Sequence, residues 1–137
     1  MKVGLFVTCL VDQMWSSIGA SSVAVLRRAG CEVTFDERQT CCGQPAFNTG
    51  YRSEARRVAE RFIELCEDSK VDAIVSPSGS CTAMIRHYQS LFADDERWRV
   101  RADKVGGLGL LMLGARAPSP ALSAKREQYF PCFTQEI

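Results

Sequence analysis

Seven cysteines stand in 137 residues, and two of them are adjacent in the segment Thr40-Cys41-Cys42-Gly43-Gln44-Pro45. Neighbouring thiols are poor structural staples. Consecutive Cα atoms lie about 3.8 Å apart, whereas ordinary disulfides need roughly 4.4 Å or more. Side by side they serve better as a grip on a metal or as a redox pair. The other two cysteines of interest are distant in the chain: thirty-one residues separate Cys9 from the pair and thirty-eight separate the pair from Cys81. That spacing is neither the tight double C-x-x-C of a zinc ribbon nor the compact run of a ferredoxin. Ligands so scattered demand a fold that forms first and then presents them.

The elements that would do so are legible. Val3–Val7 is a short apolar run, read as a buried strand ending at Thr8-Cys9. Ser16 or Ser17 caps a helix to Ala29, with Ile18, Val23 and Leu26 on one face and Gly30 at its stop. Cys31–Phe35 alternates as a second strand, and the dense turn residues from Asp36 to Gly50 predict a long loop of the functional kind. Tyr51–Glu67 is the clearest helix: Ala55, Val58, Ala59, Phe62 and Cys66 face inward, and Arg52, Arg56, Arg57 and Arg61 face solvent. Ala73–Val75 is a third strand; Pro77-Ser78-Gly79-Ser80 turns into a helix from Cys81 towards Phe92, and a further helix covers Asp94 to Val105.

This alternation predicts an α/β fold in three layers, a mostly parallel sheet with helices on both faces. Ligands in such folds bind beyond the carboxyl ends of the strands. Cys9, Cys41, Cys42 and Cys81 all fall just after strands, so four sulfurs from three segments are expected at one rim. Four thiolates there suit an iron–sulfur cluster or a Cys₄ zinc. Gly43 leaves room beside the pair, Pro45 stiffens its exit, and Ser78, Gly79 and Ser80 bring Cys81 to a helix start that favours its thiolate.

The remaining chemistry-bearing residues are read as packing or surface. Cys31 and Cys66 belong to the core, Met84 to the same helix face as Cys81, and the only histidine, His87, to a surface. Cys132 carries no assignment. No Ser/His/Asp set and no glycine-rich phosphate loop is recognisable.

Composition narrows the class. With 17 Lys+Arg against 16 Asp+Glu the formal charge is +1, so nothing points to nucleic acid. No apolar run reaches the roughly 18 residues of a spanning helix, and the N-terminus reads as a strand, not a signal peptide, so the cytoplasm is expected. In that compartment cysteine richness speaks for metal or redox chemistry.

The strings TCLVDQMWSSIG, QTCCGQPAFNTGYRSEARRVAERFIE and SPSGSCTAMIRHY closely resemble the first half of the lactate-utilisation iron–sulfur protein family. That family includes glycolate oxidase iron–sulfur-subunit-like proteins and carries the cysteine-rich CCG domain, also found in the B subunit of heterodisulfide reductase. The resemblance covers about residues 1–100. It implies an electron-transfer component, part of an oxidoreductase system that converts L-lactate or a related 2-hydroxy acid to the 2-oxo acid together with other subunits. Cys9, Cys41, Cys42 and Cys81 would hold a cluster of the 4Fe–4S kind, with Gly43 and Gly79 shaping the loops. The general CCG pattern closes with C-x-x-C, where this chain has Met84.

The resemblance also implies a second copy of the domain with further cysteines. Residues 1–104 are therefore read as the first CCG domain, and 105–137 as an atypical tail, the expected mark of a truncated or frame-shifted frame. Its segment Ala115–Ala121 reads as linker. An isolated or air-exposed chain is expected to hold the cluster poorly, to complete it as a homodimer, or to be inactive. Two other readings stay open: a zinc-binding structural domain, and a thiol–disulfide switch pairing Cys41 or Cys42 with Cys9.

Overall fold

The computed structural model describes residues 1–112, with side chains through residue 109. Among the described residues, four strands form one sheet: β1 (Lys2–Leu5), β2 (Glu32–Thr34), β3 (Ala73–Ser76) and β4 (Gly109–Met112). The order is β2-β1-β3-β4 and every pairing is parallel, with Val3 opposite both Val33 and Ala73, and Ala73 opposite Gly109. The helices are α1 (Cys9–Met14), α2 (Ser16–Arg28), α3 (Gln44–Asn48), α4 (Arg52–Ser69), α5 (Gly79–Arg86), α6 (Tyr88–Leu91) and α7 (Glu96–Gly107). This is the α/β class expected.

Alternate residues of the central strands feed two cores, as the period of two in a strand requires. Val3, Leu5, Ala73 and Val75 meet Leu26 of α2 and Cys31 on one face. Phe6 and Ile74 meet Ala59, Phe62 and Ile63 of α4, with Ile85, Tyr88, Phe92 and Val105 from the helices that follow β3, on the other. β3 is buried along its whole length because neighbours flank it on both sides and helices cover both faces. The described residues thus make three layers, helices on both faces of the sheet.

Several elements differ from the sequence reading. The alternation does not stop at residue 104: α7 runs to Gly107 and β4 adds a fourth strand beside β3, so the glycine-rich segment after Lys104 takes part in the sheet. Ala115–Ala121 and Cys132 lie outside the described residues. The long loop from Asp36 contains α3, and a short α1 precedes α2, begun by the Thr8 hydroxyl accepting from Val11 N at 3.4 Å. Neither Ser16 nor Ser17 caps α2; Trp15 occupies that position. Ile18 is 42% exposed, since only a narrow stripe of α2 touches the sheet, centred on Gly19, Ser22 and Leu26.

The sheet order decides where a ligand can sit. From β1 the chain moves outward to β2, then crosses back past β1 to reach β3 on the other side. The connections leaving β1 and β3 therefore part in opposite directions, which opens a crevice at their carboxyl ends.

Candidate metal centre

Each predicted sulfur reaches that crevice by a different route. Cys9 is the first residue of α1, directly beyond β1, and is half-buried. Cys81 is the third residue of α5, beyond β3, and is buried. Cys41 and Cys42 arrive in the connection leaving β2, which turns inward at Gly43 before α3. Because consecutive side chains diverge, the adjacent pair does not act as one claw. Cys41 Sγ lies 3.7 Å from Cys9 Sγ, while the buried Cys42 thiol hydrogen-bonds to Cys81. The four sulfurs are gathered as two pairs joined through the Cys41–Cys42 peptide.

The turn is fixed from three sides. Gly43 adopts φ +83°, a left-handed conformation that glycine tolerates best. A Cβ there would stand 3.2 Å from the Ala55 carbonyl oxygen of α4, so the residue is held to glycine by space as well as by torsion. Gly43 N–H donates to Cys41 Sγ at 3.4 Å. From below, Tyr88 Oη donates to the Cys42 carbonyl at 2.8 Å with the ring wholly buried. Tyr88 in turn stacks edge-on to Phe62 at 5.9 Å, and Phe62 to Phe6 of the sheet at 4.8 Å. Each such pair contributes about 0.5–1.5 kcal/mol beyond its burial, so the loop rests on a stiff aromatic column. Pro45 sits exposed in the first turn of α3.

The electrostatics distinguish the sulfurs. Hydrogen bonding from Cys42, with further bonds from Ser78 and Ser80, lowers the Cys81 thiol to about 6, against an opposing effect of burial. The Cys42 thiol is pushed far up, because it is the donor in that bond and because it is buried. Burial, then the bond to Cys41, raises Cys9. Within the pair, ionisation is thus favoured at Cys81 and disfavoured at Cys42. Ser78 precedes α5 and Gly79 and Ser80 are its first two residues, so the helix begins two residues earlier than the Cys81 start read from the sequence.

The other assignments divide simply. Cys31 is buried in the α2-side core, and Cys66 is held above its ordinary value, at about 12, by burial on α4. Met84 is 4% exposed in the same core as Cys42 and Cys81. His87 is exposed, its ring edge-on to Phe47 at 5.2 Å. The arginine face of α4 is less free than its pattern implies: Arg56 pairs with Asp94, and Arg52 lies 3.6 Å over Phe47. Sequence reading passes over Thr8 and Tyr88. Thr8 followed by Asp12 in a first turn is a recognisable helix start, but nothing in the sequence pairs Tyr88 with a carbonyl forty-six residues away.

An all-sulfur donor set without a carboxylate among the four is chemistry suited to soft or borderline metals. Among the described residues, no group of three or more Cys, His, Asp or Glu stands close enough together to hold a metal ion as placed, so the sulfurs meet as two pairs and not as one four-sulfur site. What fold and rim define is a doubly wound α/β domain that assembles thiols at its switch point. The chain belongs to the CCG cysteine-rich domain family, which it matches over residues 3–86. It is 52% identical over 105 residues to lactate utilization protein A of Bacillus subtilis, covering 77% of this chain and 43% of that protein. The counterpart in an Exiguobacterium species is 52% identical over 102 residues, 74% of this chain and 42% of the relative. That of Halalkalibacterium halodurans is 48% identical over 105 residues, with 77% and 42% covered. The chain thus spans under half the length of these curated relatives. No solved structure matches it. Among the described residues, no helix is long and apolar enough to cross a membrane.

Proposed function

We propose that this domain holds an iron–sulfur cluster through Cys9, Cys41, Cys42 and Cys81 and serves as an electron-transfer component in the oxidation of L-lactate or a related 2-hydroxy acid. The observation that carries the reading is the convergence of four sulfurs from three chain segments on one crevice, in a chain about half identical to lactate utilization proteins A. When bound, such a cluster supplies one-electron transfer. The protein's own part is to bring the thiols together, to keep Cys42 and Cys81 away from water, and to leave Cys9 and Cys41 half-open towards a partner. Partners are other subunits of the same cytoplasmic system, with a second copy of this chain as the alternative way to complete the ligand set.

One observation favours zinc instead. A tetrahedral ion with bonds of about 2.3 Å has sulfur–sulfur edges of about 3.8 Å, and Cys9 and Cys41 already stand 3.7 Å apart. Anaerobic purification with iron, labile sulfide and zinc measured per chain, beside a visible spectrum, separates the two. Iron and sulfide near four each, per chain or per dimer, with visible absorbance is the expected result. Zinc alone, or no metal under strict anaerobiosis, overturns it. A chromosomal Cys81→Ser allele is expected to abolish growth on L-lactate while leaving growth on other carbon sources intact; unimpaired growth on L-lactate removes the substrate assignment.

A further inference from the structure

The sulfur pair Cys9–Cys41 is made of residues from two unrelated segments, so something must hold those segments together. Within the sheet, β2 cannot: its last paired residue is Thr34, opposite Gly4. Beyond that point β1 continues without a neighbour on its β2 side. Strand residues point their backbone groups alternately left and right, and Phe6 N–H donates to Val75 O of β3. The carbonyl of Leu5 and the N–H of Val7 therefore face the vacated β2 side.

Both are taken by one side chain. Gln39 Nε2 donates to Leu5 O at 2.7 Å, and Gln39 Oε1 accepts from Val7 N–H at 3.1 Å. The carboxamide reproduces the donor and acceptor of a missing strand residue. Gln39 stands two residues before Cys41, and Val7 stands two residues before Cys9. The amide is partly buried, where an unmet backbone partner is costly and a two-point bond is geometrically exacting.

We propose that Gln39 is a positioning residue of the metal centre: its carboxamide clasps the end of β1 and thereby sets the approach of Cys41 to Cys9. This deepens the metal-site reading and rests on it for its biological purpose, but the geometry can be tested without metal. In the reduced, metal-free full chain, one thiolate attacks glutathione disulfide, breaking its S–S bond to form a mixed disulfide and release one reduced glutathione. The neighbouring thiolate then displaces glutathione, joining Cys9 to Cys41 at a rate that reports their proximity. The product is mapped by peptide mass spectrometry.

Gln39→Met keeps the length and removes both bonds. It is expected to slow closure of the Cys9–Cys41 bond at least tenfold, while Ile63→Val, a mild core change remote from the clasp, leaves the rate within twofold. Closure in Gln39→Met within twofold of the unsubstituted chain overturns the proposal. So does an equal slowing in Ile63→Val, since that would trace the effect to general loosening. If Gln39→Met fails to unfold cooperatively, Gln39→Glu decides on the same criterion. It keeps the acceptor for Val7 and sets a carboxylate oxygen against the Leu5 carbonyl. A chain that binds no iron yet shows the tenfold loss refutes the cluster and leaves the clasp standing. A chain that binds iron with unchanged closure in the variant does the reverse.

Discussion

Replacing Gly43 by alanine tests whether the CCG turn is bound to its conformation by space or by torsion alone. Gly50 provides the control: both have positive φ, +83° and +89°, but a Cβ at Gly50 meets nothing within 4 Å, whereas at Gly43 it meets Ala55 O at 3.2 Å and Val58 Cβ at 3.6 Å. A left-handed alanine costs roughly 1–2 kcal/mol. Removing glycine's freedom in the unfolded chain offsets about 0.4–1 kcal/mol of that. Gly50→Ala should therefore cost about 1 kcal/mol. At Gly43 the backbone carbonyl of α4 cannot swing aside, and relieving the contact means moving the turn or the helix, which adds about 1 kcal/mol at the mild end of overpacking. Gly43→Ala should cost about 2 kcal/mol, or roughly 8 °C in Tm against roughly 4 °C for the control in a domain of this size. Urea unfolding followed by circular dichroism gives the free energies; metal content of anaerobically purified protein gives the effect on the site. Gly43→Ala is expected to lose most of its metal and Gly50→Ala to retain it. Equal destabilisation of the two variants, or full metal retention by Gly43→Ala, would refute the reasoning.

Three further outcomes rest on the packing and the charges. Tyr88→Phe strands the buried Cys42 carbonyl that the hydroxyl now serves at 2.8 Å; a loss of about 1–3 kcal/mol in urea unfolding is expected, and no loss would show that the hydroxyl is dispensable. The Arg101 guanidinium, bonded to Glu67 at 2.6 Å, holds that carboxyl below its usual value. A depressed carboxylate stabilises above its unfolded value of about 4.3 and loses the contribution as pH falls through the folded one. The Glu67 side chain is 38% exposed, so the contribution stays below about 1 kcal/mol. Glu67→Gln should narrow the stability difference between neutral and strongly acid solution, and an unchanged difference contradicts this. Cys66, raised to about 12 by burial, is a protonated thiol at mildly alkaline pH. Iodoacetamide should leave it unmodified in the folded chain and label it readily in denaturant; equal rates in both would place it in solvent.

Much of this protein is written locally. The apolar runs at Val3–Val7 and Ala73–Val75 and the periodic face of Ala55, Ala59 and Phe62 specify two central strands and the longest helix, because burial on a sheet or helix face imposes its period on the chain. The same segments place Cys9, Cys41, Cys42 and Cys81 after strands, so the candidate ligands and their shared rim are legible from sequence alone. The fourth strand is not: Gly109–Met112 has little strand signature of its own and is recruited by the open edge of β3. Nor can the sequence say which sulfur meets which. The partition into Cys9 with Cys41 and Cys42 with Cys81 comes from the divergence of adjacent side chains at a turn held by Gly43, Gln39 and Tyr88. Those three residues act on carbonyls, amides and a helix far away in the chain. Only the packed sheet brings such partners within bonding distance, and a lone glutamine, glycine or tyrosine carries no local sign of the partner it will find.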